Sequence, residues 1–313
     1  MQPSNTRVRL TLLLSLALSA SCAAPQESGG LADEQGELKV SVYNPGAMRE
    51  QSSIGVFITT LDRTIQQWNH TFLTGSQDRD RRTLNRLEDT IRTRVQKLFE
   101  PLVAELESGP PYNRRVAATA LGFADSELAL NPLLNALSDP DQEVINNALV
   151  GLSILSYPTT PLQGILHQMR FGSTEQIRGN ASLALLECLQ SGSTSTPEVL
   201  EAARAGLLDD APYVRTKSAL LIAFERDVDS IDDLALQLYE DNLDSAAMAA
   251  SRALAFLGKN EIRFRGRCAR AMTASLGKVN DAVNSAVLRD LQILSGRNYP
   301  THEAWVQWSH RLP

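Results

Sequence analysis

The side chains that could do chemistry are few and widely separated. His70, His167, His302 and His310 show no metal-ligand spacing. No Gly-x-Ser-x-Gly and no glycine-rich phosphate loop occurs. Carboxylate pairs such as Asp209–Asp210 and Asp232–Asp233 fall where helices begin, and the helix dipole accounts for them without catalysis. These residues imply no catalytic site, no cofactor site and no metal site. Of the three cysteines, Cys188 and Cys268 fall in separate repeats and are expected as two buried thiols, each behaving as a small hydrophobe. Cys22 stands apart, in a different chemical context.

Two further clusters are candidate binding groups. Glu225 to Asp244 holds eight acids and one arginine, whereas Lys259 to Lys278 holds two lysines, four arginines and one acid. The basic block centres on "RFRGRCAR", with Arg263, Arg265, Arg267 and Arg270. It reads either as a solvated face complementing the acidic repeat or as a docking patch for an anionic partner or lipid head group. Near the end, "LSGRNYPTHEAWVQWSHRL" sets Trp305, Trp308 and Leu312 on one helical face. That face is either a cap on the last repeat or an exposed aromatic surface, since tryptophan is common at binding hot spots. A net charge of −6 gives no reason to expect nucleic acid as a partner.

The elements that would position these groups are helical and repeated. The chain has 313 residues, 43% of them hydrophobic and only 5% aromatic, and it is rich in the helix formers Ala and Leu. An apolar pattern recurs in copies that begin at Asn113, Val144, Ile177, Val214, Ala246 and Val283, at intervals of 31, 33, 37, 32 and 37. Such a period indicates stacked helix pairs. Asn131, Thr160 and Thr196, each before a proline, are expected to cap the first helix of a pair. Asp139 and Ser173 are expected to cap the second, with Gln142 and Gln176 three residues on completing a capping box. The stretches "LSDPDQEVINNAL" and "LLDDAPYVRTKSALL" resemble short HEAT-like repeats, the type seen in phycobilin lyases and many bacterial scaffold proteins. A tetratricopeptide array would need a Trp-x-x-Leu-Gly motif that is not here, and the ankyrin-like "TPLQ" at Thr160 is isolated. A Trp-x-x-Trp ending after a Leu-Ser-Gly turn is similar to that of some bacterial HEAT-like envelope proteins.

The expected fold is an all-α, right-handed α-α superhelix, a HEAT-like solenoid of about six helix pairs over residues 111–296. A helical hairpin over residues 46–110 is expected to cover its open N-terminal end, and residues 297–313 its other end. Within the hairpin, Ile54, Phe57, Ile58, Leu61, Ile65, Trp68 and Phe72 mark one helix. A second runs from about Asp80 to Leu106, with a kink at Pro101. Leu38, Val40 and Val42 alternate as in a short strand.

The first residues form an export signal: Arg7 and Arg9, then "LTLLLSLAL", then "SASC". Small residues directly before Cys22 resemble the lipobox of bacterial lipoproteins, although Ser19 stands where a leucine is usual. That resemblance implies removal of residues 1–21, a lipid on Cys22 and a flexible tether over residues 22–45. It places the protein in the bacterial cell envelope, with Ala23 after the cysteine pointing to the outer membrane facing the periplasm. The functional expectation is a membrane-anchored, non-enzymatic scaffold that binds envelope proteins through the concave repeat surface. The alternative is a phycobilin-lyase-like enzyme or enzyme accessory protein.

Overall fold

A computed structural model describes residues 45–75 and 77–313, with the side chains of 45–53 left aside. Cys22, the expected export signal, the expected tether up to residue 44 and the expected strand at Leu38–Val42 lie outside the described residues. The described residues contain helices and no strand. They divide into two compact units at Ile91/Arg92, within the second helix.

The first unit holds α1 (Pro45–Thr74) and most of α2 (Asp78–Lys97). Both are amphipathic, and Ile58, Leu61, Ile65 and Ile91 are buried. Trp68 stacks on Phe72 and donates its indole N–H to Glu88 at 3.1 Å.

The second unit is a stack of helix pairs. Its elements are α3 (Phe99–Ser108), α4 (Pro111–Leu121), α5 (Leu130–Asn135), α6 (Gln142–Leu155), α7 (Gln163–Phe171) and α8 (Glu175–Gln190). They continue with α9 (Pro197–Gly206), α10 (Pro212–Phe224), α11 (Ile231–Glu240), α12 (Asp244–Asn260), α13 (Arg265–Ser275), α14 (Asp281–Ser295) and α15 (His302–His310). The even-numbered helices from α4 to α14 pack side by side in one layer. The odd-numbered helices form the other, in which α3 contacts α5, α7 contacts α9 and α11 contacts α13. The long helix expected to kink at Pro101 is broken instead: α2 stops at Lys97 and Leu98 leaves helical geometry at φ −124° and ψ 34°. Proline at position 101 offers no N–H to the Lys97 carbonyl and its ring crowds that oxygen. The segment released in this way, α3, packs on α4 and is the first helix of the first pair. The array therefore reaches back before residue 111 and contains six pairs, with α15 added on α13.

The recurring apolar positions hold the layers together. Val144, Ile177, Val214, Ala246 and Val283, which open the copies, are buried, as are Leu149, Leu185 and Leu221. The close approach of α4 and α6 needs two facing glycines: a Cβ on Gly151 would strike the Ala118 carbonyl, and one on Gly122 would meet Gly151 O at 2.6 Å.

The helix starts differ from the expected caps. Asp141, not Asp139, caps α6 by accepting from Glu143 N at 2.9 Å. Thr174, not Ser173, caps α8 by accepting from Ile177 N at 3.2 Å. Asn131 lies inside α5, and Thr160 precedes α7 by three residues and donates to Tyr157 O instead. Thr196 sits at the cap position of α9, with Pro197 in its first turn, but its side chain accepts no backbone N–H there.

Asp139 has another task, and it recurs. Its Oδ1 accepts from Asp141 N at 2.8 Å, and its carboxylate takes a two-pronged grip from Arg114 of the preceding repeat, at 2.9 and 3.0 Å. Asp209 does the same with Ala211 N and Arg178, and Asp241 with Leu243 N and Arg215. Each arginine also donates to a carbonyl in the turn before its own helix: Gly109, Gly172 or Asp209. One guanidinium thus stitches two successive turns, using the planar fork that lysine lacks. Between α6 and α8 the corresponding residue is Ile145, and Gln168 spans that step by donating to Leu137 O at 2.8 Å.

Candidate functional site

The basic block is shared among different neighbours rather than presented as one cationic face. Arg263 is exposed on a 3-10 turn, with no ion pair among the described residues. Arg265 donates to Gly258 O at 3.1 Å and so ties α13 to the end of α12. Arg267 pairs with Asp232 at 2.6 Å, the expected complement to the acidic repeat, but Asp232 is largely exposed and Arg267 only half-buried. Arg270 donates to Ser309 O and Leu312 O at 3.4 and 3.3 Å and holds the end of α15. Two of the four arginines therefore do structural work at helix ends.

The aromatic pair is divided as well. Trp305 is buried, edge-on to Tyr299 at 4.8 Å and to Trp308 at 5.7 Å. Thr301 caps α15 by accepting from Ala304 N at 3.2 Å, which sets the helix against α13. Trp308 is half-buried, and Trp305 belongs to the core.

Cys188 and Cys268 are separate buried free thiols, and burial pushes each up to about 12. No group of three or more His, Cys, Asp or Glu able to hold a metal occurs among the described residues. No described helix is long and apolar enough to cross a membrane.

The groups that sequence reading missed lie on the outer face of the even-numbered layer. Ten residues after each copy opens, α10, α12 and α14 carry Phe224, Phe256 and Ile293, which are 38%, 42% and 49% exposed. The same position is Glu187 on α8, so the apolar row ends there. One turn earlier on the same face stand Leu220, Arg252 and Arg289. Arg252 pairs with the buried Asp290 at 2.7 Å, and Ser251 donates to the same carboxylate at 2.9 Å. Arg289 is exposed with no ion pair among the described residues. Burial raises the Asp290 carboxyl above the usual carboxylate range, despite Arg252 and Ser251.

Another turn back, Lys217 lies almost wholly buried with its ammonium over the Tyr213 ring, 5.4 Å from the centroid. Burial lowers it to about 8, against the opposing pull of Glu187. The Tyr213 hydroxyl is buried with no hydrogen-bond partner among the described residues, and burial raises its pKa. Gly179 on α8 makes room for that ring, which a Cβ would strike. These positions form columns in the repeat alignment: reading down the tenth residue of successive copies, rather than along each copy, would have found the row.

The family model described as HEAT repeats matches residues 99–185, from the first residue of α3 into α8. No curated protein matches the chain. The break at Pro101, the paired layers and this match agree on the repeat unit, and the second unit is a HEAT-like helical-repeat array with the fold of an α-α solenoid.

Proposed function

We propose that this protein is a lipid-anchored, non-enzymatic scaffold of the bacterial cell envelope that binds another protein through the outer face of its even-numbered helix layer. The observation that carries the binding role is the row of half-exposed apolar side chains at one register on three neighbouring helices. Apolar side chains scattered singly on a surface are ordinary, but a contiguous patch is characteristic of an interaction site. Stacked repeats turn such a row into an extended surface because each copy repeats the same outward position. The anchoring role rests on Arg7, Arg9, the nine-residue apolar run and "SASC" ending in Cys22. Several acyl chains on one cysteine would hold the protein on a membrane stably, where one chain would not.

Fractionation and intact mass test the anchor. Wild type should pellet with membranes and carry the added mass of lipid on Cys22, and Cys22→Ser should be released or left unprocessed. Identical mass and distribution for both would overturn the anchored reading.

A further inference from the structure

Charge is distributed unevenly along the chain. Helix α2 holds seven basic and four acidic residues, whereas residues 98–313 hold 18 basic and 26 acidic. Such an asymmetry points to an anionic partner for the basic part. The placement of the charges on α2 is one-sided as well. Arg79, Arg82 and Arg86 follow steps of three and four and share one face, away from the buried Ile91 and Val95. All three are exposed and make no ion pair among the described residues. Arg81 beside them is 75% exposed and reaches Asp78 only at 3.6 Å. The helix's acids are drawn partly inward. Asp80 accepts from Gln77 N at 3.1 Å and Glu88 from the Trp68 indole, so the exposed acids of α2 are Asp78 and Asp89. Four exposed arginines against two exposed aspartates leave this face cationic in a chain whose formal charge is −6.

Residue type and chain position select among the anions. Guanidinium groups grip phosphate oxygens with two parallel N–H donors, which suits them to phosphate head groups. Only 22 residues, 23–44, separate Cys22 from the start of α1. They span at most about 75 Å at full extension. A chain held at Cys22 by lipid therefore keeps α2 close to one phospholipid surface, and that proximity raises the effective concentration of its head groups. No partner in solution has this advantage. Each arginine close to an anionic surface strengthens attachment about fivefold. Three or four of them are a weak attachment for a free protein but a useful second signal beside an acyl anchor.

We infer that Arg79, Arg82 and Arg86, flanked by Arg81, bind the phosphate head groups of anionic phospholipids in the membrane that carries the Cys22 anchor. This inference rests on the anchored reading and adds to it a second, electrostatic contact. The contact gives the first unit a membrane-facing side, which a lipid on a single cysteine does not. It is distinct from the apolar row on the repeats and leaves that row available to a protein partner.

Vesicle sedimentation tests it with the chain from residue 22 onward carrying Cys22→Ser, so that no attached lipid contributes. The probes are vesicles of phosphatidylcholine and phosphatidylglycerol in about equal parts, and vesicles of phosphatidylcholine alone. At low salt the chain should bind the anionic vesicles at least about tenfold more tightly than the neutral ones. Raising salt to about 1 M, where the screening length falls to about 3 Å, should abolish the difference. Arg79→Glu, Arg82→Glu and Arg86→Glu together should weaken binding to anionic vesicles at least about tenfold, and the milder set of three Arg→Gln replacements at least about threefold. Reversing the exposed Arg263, Arg289 and Arg297 to Glu changes net charge equally and should weaken it less than about threefold. Circular dichroism should show these variants folded. Equal binding to both vesicles, unchanged binding after either set of replacements on α2, or an equal loss in the comparison variant overturns the inference. So does tighter binding to a poly-glutamate peptide or a single-stranded oligonucleotide than to the anionic vesicles, which would assign the arginines to a protein or a nucleic acid. If vesicle binding fails while intact mass still shows lipid on Cys22, this inference falls and the anchored reading stands. Absence of that lipid removes both.

Discussion

Replacing Arg215 by alanine should cost far more stability than its place near the surface of the stack suggests. Its guanidinium donates to both oxygens of Asp241 at 2.7 and 2.8 Å, and to the carbonyls of Asp209 and Asp210 at 2.8 and 3.0 Å. The Asp241 side chain is only 2% exposed and that of Arg215 16%. Removing the arginine leaves a carboxylate out of water without its counter-charge, a loss of about 3–5 kcal/mol. Domains have only about 5–15 kcal/mol in total. Arg215→Lys keeps the charge but not the fork, and should fall between alanine and wild type. Arg215→Ala combined with Asp241→Ala should be more stable than Arg215→Ala alone, because the stranded charge is gone. The double variant should still lose about 1 kcal/mol for the Asp241 contact to Leu243 N. The comparison is Arg267→Ala, whose partner Asp232 is 79% exposed and whose loss should stay below about 1 kcal/mol. Urea unfolding followed by far-ultraviolet circular dichroism measures all four variants. If Arg215→Ala costs no more than Arg267→Ala, the arginine–aspartate stitching between turns is not a determinant of the stack.

Other outcomes follow from single contacts. Gly179→Ala should displace the Tyr213 ring and lower stability by about 1–3 kcal/mol, with Tyr213→Leu in the same chain recovering part of the loss in urea titrations. Asp209 is shifted upward by burial but held below the usual carboxylate range overall by Arg178 and Ala211 N. Its contribution is present above the unfolded carboxyl pKa of about 4 and is lost as pH falls through the lower folded value. The stability gap between wild type and Asp209→Asn should therefore close as the buffer is acidified. Asp290 is raised, so its contribution is present below about pH 4 and fades as pH rises through the folded value; Asp290→Asn should gain on wild type with rising pH, opposite to Asp209→Asn, in the same titration series. Cys188 and Cys268 should stay silent to a thiol reagent at pH 8 in the native chain and react as two equivalents after denaturation.

The second helix of every pair was legible in the sequence, because buried residues at helical spacing, such as Val144, Ala148 and Leu152, recur from copy to copy. The helix α3 was hidden by the continuous amphipathic run through Pro101, which reads as one bent helix until the lost Lys97 bond is considered. Asp139 looked like a helix cap because aspartate before proline commonly is one. Its partner Arg114 lies 25 residues away, and no local pattern reports such a pair. The surroundings of the basic block were hidden for a related reason. Four nearby arginines suggest one patch, yet Arg265 and Arg270 are taken up by the carbonyls of Gly258, Ser309 and Leu312, which only the packing of α12, α13 and α15 brings within reach. Trp305 was legible as part of an apolar helix face, and the structure buries it beside Tyr299 while Trp308 stays half-buried.

Site-specific photo-cross-linking in intact cells tests the central claim most directly. A photoreactive phenylalanine analogue is placed at position 256 on α12, at 293 on α14, and, for comparison, at 171 on α7 and 236 on α11, all exposed. The scaffold account predicts a discrete partner adduct in the membrane fraction from positions 256 and 293, absent from 171 and 236 and lost from the membrane with Cys22→Ser. Adducts of equal yield from all four positions, or from none of them, would contradict it.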